Sequence, residues 1–252
     1  MSTIDFNSYR ATTGFNKRIR FLVLHYTALD FAGSITALTR GQVSAHYLLP
    51  ATADPSYRAA GFSSQRIFNL VDEQDRAWHA GLSHWAGRDN LNDTAIGIEI
   101  VNQPTETPSG LHFVDFEPGQ IDALRELAGN ILMRYPDISP KNVLGHADIA
   151  YLRKSDPGPK FPWQTLAQSG IGAWYEAERK QAFIDQFTRQ GLPSRSETIA
   201  AFKQYGYAAP ADDAGFKALV RAFQMHFRPS GYSGEMDIET GAILFALNAR
   251  YR

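Results

Sequence analysis

At 252 residues, 44% hydrophobic and 20% charged, the chain has apolar material for a sizeable core and for one large and one small domain. A formal net charge of −1 excludes a global field that would draw it to nucleic acid or an anionic membrane, so recognition must be local. The absence of cysteine excludes disulfides, thiolate nucleophiles and sulfur-ligated metals, leaving histidines and carboxylates to hold any metal.

No basic segment followed by an apolar stretch opens the chain, and no apolar run approaches the roughly 20 residues of a membrane span. The expected placement is therefore cytoplasmic, with no Sec-type signal and no membrane anchor. Arg20 to His25 is a continuous apolar block too short for a helix, and it reads as a buried strand ending on His25. From Ala95 to Asn102 the pattern alternates, setting Ile96, Ile98 and Ile100 against Gly97, Glu99 and Val101. Between Pro118 and Tyr135 the apolar residues follow the three-and-four spacing of an amphipathic helix, closed by Pro136. A third strand, Asn142 to Leu144, stops at Gly145-His146.

These elements predict an α/β fold in which a central mixed sheet is flanked by helices. After Phe161-Pro162-Trp163 the texture changes to shorter helical stretches at 177–188, 197–205, 214–227 and 240–248, separated by Gly-, Pro- and Ser-rich turns. The expected organisation is a domain over 1–176, a linking helix over 177–192, and a small all-α three-helix domain over 193–252.

Seven histidines occur, and any one alone reads more readily as a surface or hydrogen-bonded core residue than as a ligand. His25 and His146 stand out because each lies where a hydrophobic strand meets a loop, a rigid place from which to present a functional group. In Lys154-Ser155-Asp156-Pro157, the proline biases Asp156 toward an extended conformation, which would turn Lys154 and Asp156 to the same side. The same segment reads equally as an exposed ion pair beside a proline turn.

His25, His146 and Asp156 together form a two-imidazole, one-carboxylate set of the kind that holds catalytic zinc with a fourth position free. Zinc brings the pKa of a bound water to roughly 7 and polarises a carbonyl, so no Ser or Cys nucleophile is needed. Glu99 is the candidate general base, and Lys154 the candidate stabiliser of a tetrahedral oxyanion. Spacing adds little, because the histidines lie far apart and no His-Glu-x-x-His helix is present.

The blocks Leu24-His-Tyr-Thr-Ala28, Ser44-Ala-His-Tyr47, Ala77-Trp-His-Ala-Gly81, Ile96-Gly-Ile-Glu-Ile-Val-Asn102, Gly145-His-Ala-Asp-Ile-Ala150 and Lys154-Ser-Asp-Pro-Gly158 add a second line of argument. In that order they resemble the zinc-dependent N-acetylmuramoyl-L-alanine amidases of the AmpD and AmiD type, which share a fold with peptidoglycan recognition proteins. The resemblance covers about residues 15 to 175. It implies His25, His146 and Asp156 as Zn2+ ligands, Glu99 as acid/base and Lys154 as oxyanion partner, the five chosen from chemistry alone. It also implies a cleft for glycan and stem peptide near Tyr26, His46, Trp78, His79, Trp85, Arg88 and Asn92, residues that read equally well as core packing.

The implied substrates are peptidoglycan and muropeptides, and a non-catalytic peptidoglycan-binding module on the same fold is the alternative. Family members of that second kind typically lack a ligand, whereas all three positions are filled here. The tail is similar to the three-helix peptidoglycan-binding domain found beside many wall hydrolases, a tether that would aid attack on an insoluble polymer. Reaching periplasmic wall would require a non-classical export route. The stretch from Leu49 to Phe62 exceeds the connection expected there and reads as a cleft wall, a homo-oligomer contact or a surface loop.

Overall fold

The apolar run after Arg20 forms strand β1 (Phe21–Tyr26) inside a five-stranded mixed sheet, in a computed structural model that describes residues 2–108 and 110–251. The strand order is β3 (Phe68–Asn69), β2 (Tyr47–Leu49), β6 (Ala95–Ile100), β1 and β9 (Val143–Gly145). Only β3 runs antiparallel to its neighbour. Parallel neighbours need crossovers, and helices supply them: α1 (Phe31–Arg40) leads from β1 to β2, and α3 (Pro118–Arg134) from β6 to β9.

The expected amphipathic helix is α3, opened by Pro118 in its first turn. Its buried row of Leu124, Leu127, Ala128 and Ile131 packs with Leu22, Leu24, Ile96, Ile98 and Ile100 into one aliphatic cluster. The period of two on β6 therefore turns its isoleucines toward α3 and turns Gly97 and Glu99 to the other face.

The long connection after β2 resolves into α2 (Pro55–Ala59) and a brace for α1. The Asp54 carboxylate accepts from Ser56 N in its own helix and from Phe31 N at the start of α1, at 2.8 and 2.7 Å. Phe31, Tyr57, Phe62 and Phe68 then pack edge to face and stacked behind that joint. The stretch holds a helix in place from behind.

At the C-terminus, α7 (Arg195–Tyr205), α8 (Asp213–Phe227) and α9 (Ile238–Arg250) make the three-helix unit, and α6 (Ala177–Gln190) lies along α9 through Phe183, Phe187 and Phe245. The unit does not stand apart. Phe202, Tyr205, Tyr207, Phe223 and Phe227 share one buried cluster with Phe21 and Val23 of β1, Ile149, and Trp85. No helix among the described residues is long and apolar enough to cross a membrane.

Candidate metal centre and its cleft

Parallel pairing of β1 with β6 sets His25 beside Glu99, both at the carboxyl ends of their strands and both on the face away from α3. Strand β9 ends at Gly145, and His146 begins the short helix α4 (His146–Ile149). Asp156 returns to the same spot because the backbone N–H of Ala147 donates to its carbonyl at 2.8 Å.

Three ligand atoms converge there. His25 Nδ1 lies 3.0 Å from His146 Nδ1 and 2.9 Å from Asp156 Oδ2, and His146 Nδ1 lies 3.1 Å from that same oxygen. All three residues are buried. The outer nitrogens have partners of their own. His146 Nε2 lies 3.1 Å from the Ala80 carbonyl and 3.3 Å from the Arg153 guanidinium. His25 Nε2 has His79 Nδ1 at 3.1 Å as its partner, leaving its own Nδ1 for the centre. Two inward-facing ring nitrogens and a carboxylate oxygen are a donor set for a cation, each histidine held from behind.

The electrostatics agree. Burial, reinforced by the neighbouring His146, lowers the His25 pKa to about 4, which keeps the imidazole neutral. Burial opposes ionisation of Asp156, but His146 and His25 overcome it and hold its carboxyl well below the usual range. Glu99 is shifted the other way, well above a free carboxyl, by burial first and then by the negative Asp156, with Lys154 opposing. Its Oε1 lies 4.0 Å from His25 Nδ1, and its buried Oε2 has no hydrogen-bond partner among the described residues.

Above this group opens a cleft of about 390 Å³ lined by Tyr26, Trp78, His79, Glu99, Lys154 and Asp156, among others. The exposed Lys154 overlooks the buried carboxylates. Trp78 is 57% exposed at the rim, whereas adjacent His79 is buried against Gly97, where a Cβ would fall 2.4 Å from its ring. Tyr26 is fixed by a 2.7 Å hydrogen bond between its hydroxyl and that of Ser155. Thus Tyr26, Trp78 and His79 of the expected substrate residues reach the cleft.

The other four do not. Trp85 is fully buried, edge-on to Tyr205 and Tyr207, because it packs between the sheet and the C-terminal helices. His46 is likewise buried and accepts from Gly97 N at 3.0 Å, which fixes the β6 backbone. Asn92 accepts from the N–H groups of His79 and Ala80 at 3.0 and 2.7 Å, a structural task one step behind the ligands. Arg88 is exposed in the hairpin of β4 (His84–Trp85) and β5 (Arg88–Asp89), outside the cleft.

Two contributors escaped the sequence reading. Helix α1 walls the cleft with Ser34, Ala37 and Leu38, and its signal was present in Asp30, whose carboxylate accepts from Gly33 N at 2.8 Å as an N-cap. Arg153 lines the same cleft and donates to the Ala80 and Leu82 carbonyls, both at 2.6 Å, locking the loop behind His146.

Comparison with known proteins follows the same lines. Residues 15–159 match the N-acetylmuramoyl-L-alanine amidase family. Over 237 residues the chain is 47% identical to N-acetylmuramoyl-L-alanine amidase AmiD of Escherichia coli, covering 93% of this chain and 84% of that one. The crystal structure of AmpDh3 from Pseudomonas aeruginosa in complex with anhydromuramic pentapeptide superposes with a TM-score of 0.97 at 63% identity, over 100% of this chain and 99% of the other. E. coli AmiD in complex with anhydro-N-acetylmuramic acid-L-Ala-D-gamma-Glu-L-Lys gives 0.85 at 45% identity, covering 97% and 93%. With the match spanning more than half the chain and the likeness running on through the C-terminal helices, the protein belongs to the N-acetylmuramoyl-L-alanine amidase family.

Proposed function

We propose that this protein is a zinc-dependent hydrolase of the amide joining the lactyl group of N-acetylmuramic or 1,6-anhydro-N-acetylmuramic acid to the L-alanine of a stem peptide. The observation that carries the reading is the convergence of His25 Nδ1, His146 Nδ1 and Asp156 Oδ2 beside an unpartnered, buried Glu99 oxygen. The family membership sets the reaction, and the relatives crystallised with anhydromuramic peptides support the substrate class.

His25, His146 and Asp156 would hold the ion. Zinc so held supplies a Lewis acid for the amide carbonyl and a water acidic enough to lose its proton near neutral pH. Glu99 would take that proton as a carboxylate and return it to the leaving L-alanine nitrogen, a task suited to a group whose proton affinity is raised by burial and by the neighbouring Asp156. Lys154 faces the developing oxyanion with a positive charge. Tyr26 and the exposed ring of Trp78 line the cleft and would contact the bound substrate.

A non-catalytic binding module would have no use for a half-buried Glu99 whose inner oxygen lacks a partner next to a complete ligand set. The polymeric wall and its soluble fragments both present the scissile amide, and the relatives' complexes favour the fragments as the direct test. Purified protein should contain zinc by elemental analysis and release free stem peptide from an anhydro-muropeptide. A chelator should abolish the release, and added zinc should restore it. Full activity in metal-free protein would overturn the proposal.

A further inference from the structure

Among the contacts between the C-terminal helices and the site is a buried carboxylate that hydrogen-bonds to both. Asp148 lies two residues beyond His146 on α4 and is 2% exposed. Its Oδ2 accepts from the backbone N–H of Gly145 at 2.7 Å and from His226 Nδ1 at 2.7 Å, and its Oδ1 accepts from the Tyr207 hydroxyl at 2.6 Å. Gly145 immediately precedes His146, so the first contact fixes the backbone that carries the ligand. The other two come from the loop after α7 and from the last turn of α8.

These partners are themselves held. Tyr207 is 1% exposed and packs edge-on against Trp85, and burial together with Asp148 keeps its phenol protonated, hence a donor. His226 is stacked on Trp163 at 3.8 Å between ring centroids. Gly145 itself leaves no room to move, since a Cβ there would meet Pro157 at 2.7 Å. A carboxyl group accepting three buried hydrogen bonds is a stiff joint, because removing any donor leaves an acceptor unpaired in a dry site.

We infer that Asp148 is a positioning residue for His146, and that Tyr207 and His226 make the C-terminal helical unit part of the catalytic scaffold as well as a candidate wall-binding tether. The inference rests on His146 being a zinc ligand, the reading proposed above. Through this joint the tail sets where the ligand sits and therefore how tightly the ion is held.

The test uses the full-length chain. Asp148→Asn, Tyr207→Phe, His226→Leu and His226→Gln are compared with Leu244→Ala, which destabilises the same helical unit at a fully buried position that makes no hydrogen bond to Asp148. Zinc dissociation constants are read by chelator competition, alongside melting temperature and steady-state kinetics on a soluble anhydro-muropeptide. Asp148→Asn should weaken zinc about 10-fold or more, the usual scale for an outer partner of a metal ligand. Tyr207→Phe and His226→Leu should move it the same way, with kcat falling and KM steady, whereas His226→Gln, which restores an N–H donor, should recover most of the loss. Leu244→Ala should lower the melting temperature and leave zinc affinity unchanged.

Should Asp148→Asn fail to fold, Tyr207→Phe, which removes one oxygen and keeps the ring, decides the matter. If Tyr207→Phe and His226→Leu bind zinc like the wild type while melting lower, as Leu244→Ala does, Asp148 only staples two parts together and the inference falls. A wild-type protein that retains no zinc would instead overturn the metal reading itself, and this inference with it.

Discussion

The two faces of β6 are both buried, yet they differ in everything but shape. Toward α3 the strand offers Ile96, Ile98 and Ile100 to an aliphatic cluster in which contacts are non-directional and interchangeable. Toward the other side it offers Gly97 and Glu99 to His79, His25 and Asp156, groups that cost several kcal/mol to bury unless each finds a partner. One face holds the strand still so that the other can keep a carboxyl oxygen unsatisfied beside a candidate cation site. A rigid strand presenting both is how a marginally stable fold tolerates an unpaired buried oxygen.

Chemistry should separate the faces most sharply. His146→Ala should lose bound zinc and all detectable hydrolysis together, whereas Glu99→Gln should retain zinc while kcat falls by about 10² to 10⁴. Elemental analysis paired with muropeptide turnover distinguishes the two, and near-normal turnover in Glu99→Gln would show that the polar face is organised around a different base. Next in size is Gly97→Ala, which drives a methyl into the His79 ring. It should cost about 1–3 kcal/mol of stability by overpacking and weaken zinc about 10-fold by displacing the partner of His25, readable by chemical unfolding and chelator competition.

One residue away on the opposite face, Ile98→Val should cost only about 0.5–1.5 kcal/mol in the same unfolding assay, with zinc affinity and kcat untouched. A change in zinc binding there would mean that the faces are mechanically coupled. The smallest effect concerns pH at the sheet's edge. Burial opposes ionisation of Glu73, but hydrogen bonds from Arg134, Tyr47 and Tyr135 overcome it and bring its pKa down to about 2. A depressed carboxyl contributes stability that is present above its ordinary pKa and is lost as pH falls toward its folded value. Glu73→Gln should therefore lower the melting temperature near neutrality, where that contribution is present, and flatten the acid limb between about pH 4.5 and 2, so that variant and wild type converge at the acid end.

Much of the polar face was legible from the residues. Short apolar runs ending in His25 and His146, and the alternation around Glu99, are local patterns that survive folding, and the residues they mark converge in space. What could not be read was which aromatic and polar side chains turn inward. Trp85 faces Tyr205 and Tyr207, and the Gly206 between them has a φ of 142° and no room for a Cβ beside the indole. That partnership joins segments more than a hundred residues apart, beyond any periodicity. His46 and Asn92 bond to backbone N–H groups whose positions exist only after the chain has folded. Nor does the sequence pattern reveal the core that the C-terminal helices share with β1, since an apolar helix face looks alike whether it covers its own bundle or a neighbouring sheet.

The hydrogen bond from Ala147 N to the Asp156 carbonyl has a consequence of its own. It closes the turn between two of the three donors as the chain folds, and a buried carbonyl and N–H paired in this way do not open without cost. For any ion held by His146 and Asp156, the fold itself thus ties two of the three donors together, which lowers the entropic cost of gathering them. If the site takes up zinc as proposed, the ion would pass Lys154, a like charge lining the cleft, and the rate of uptake should respond to ionic strength.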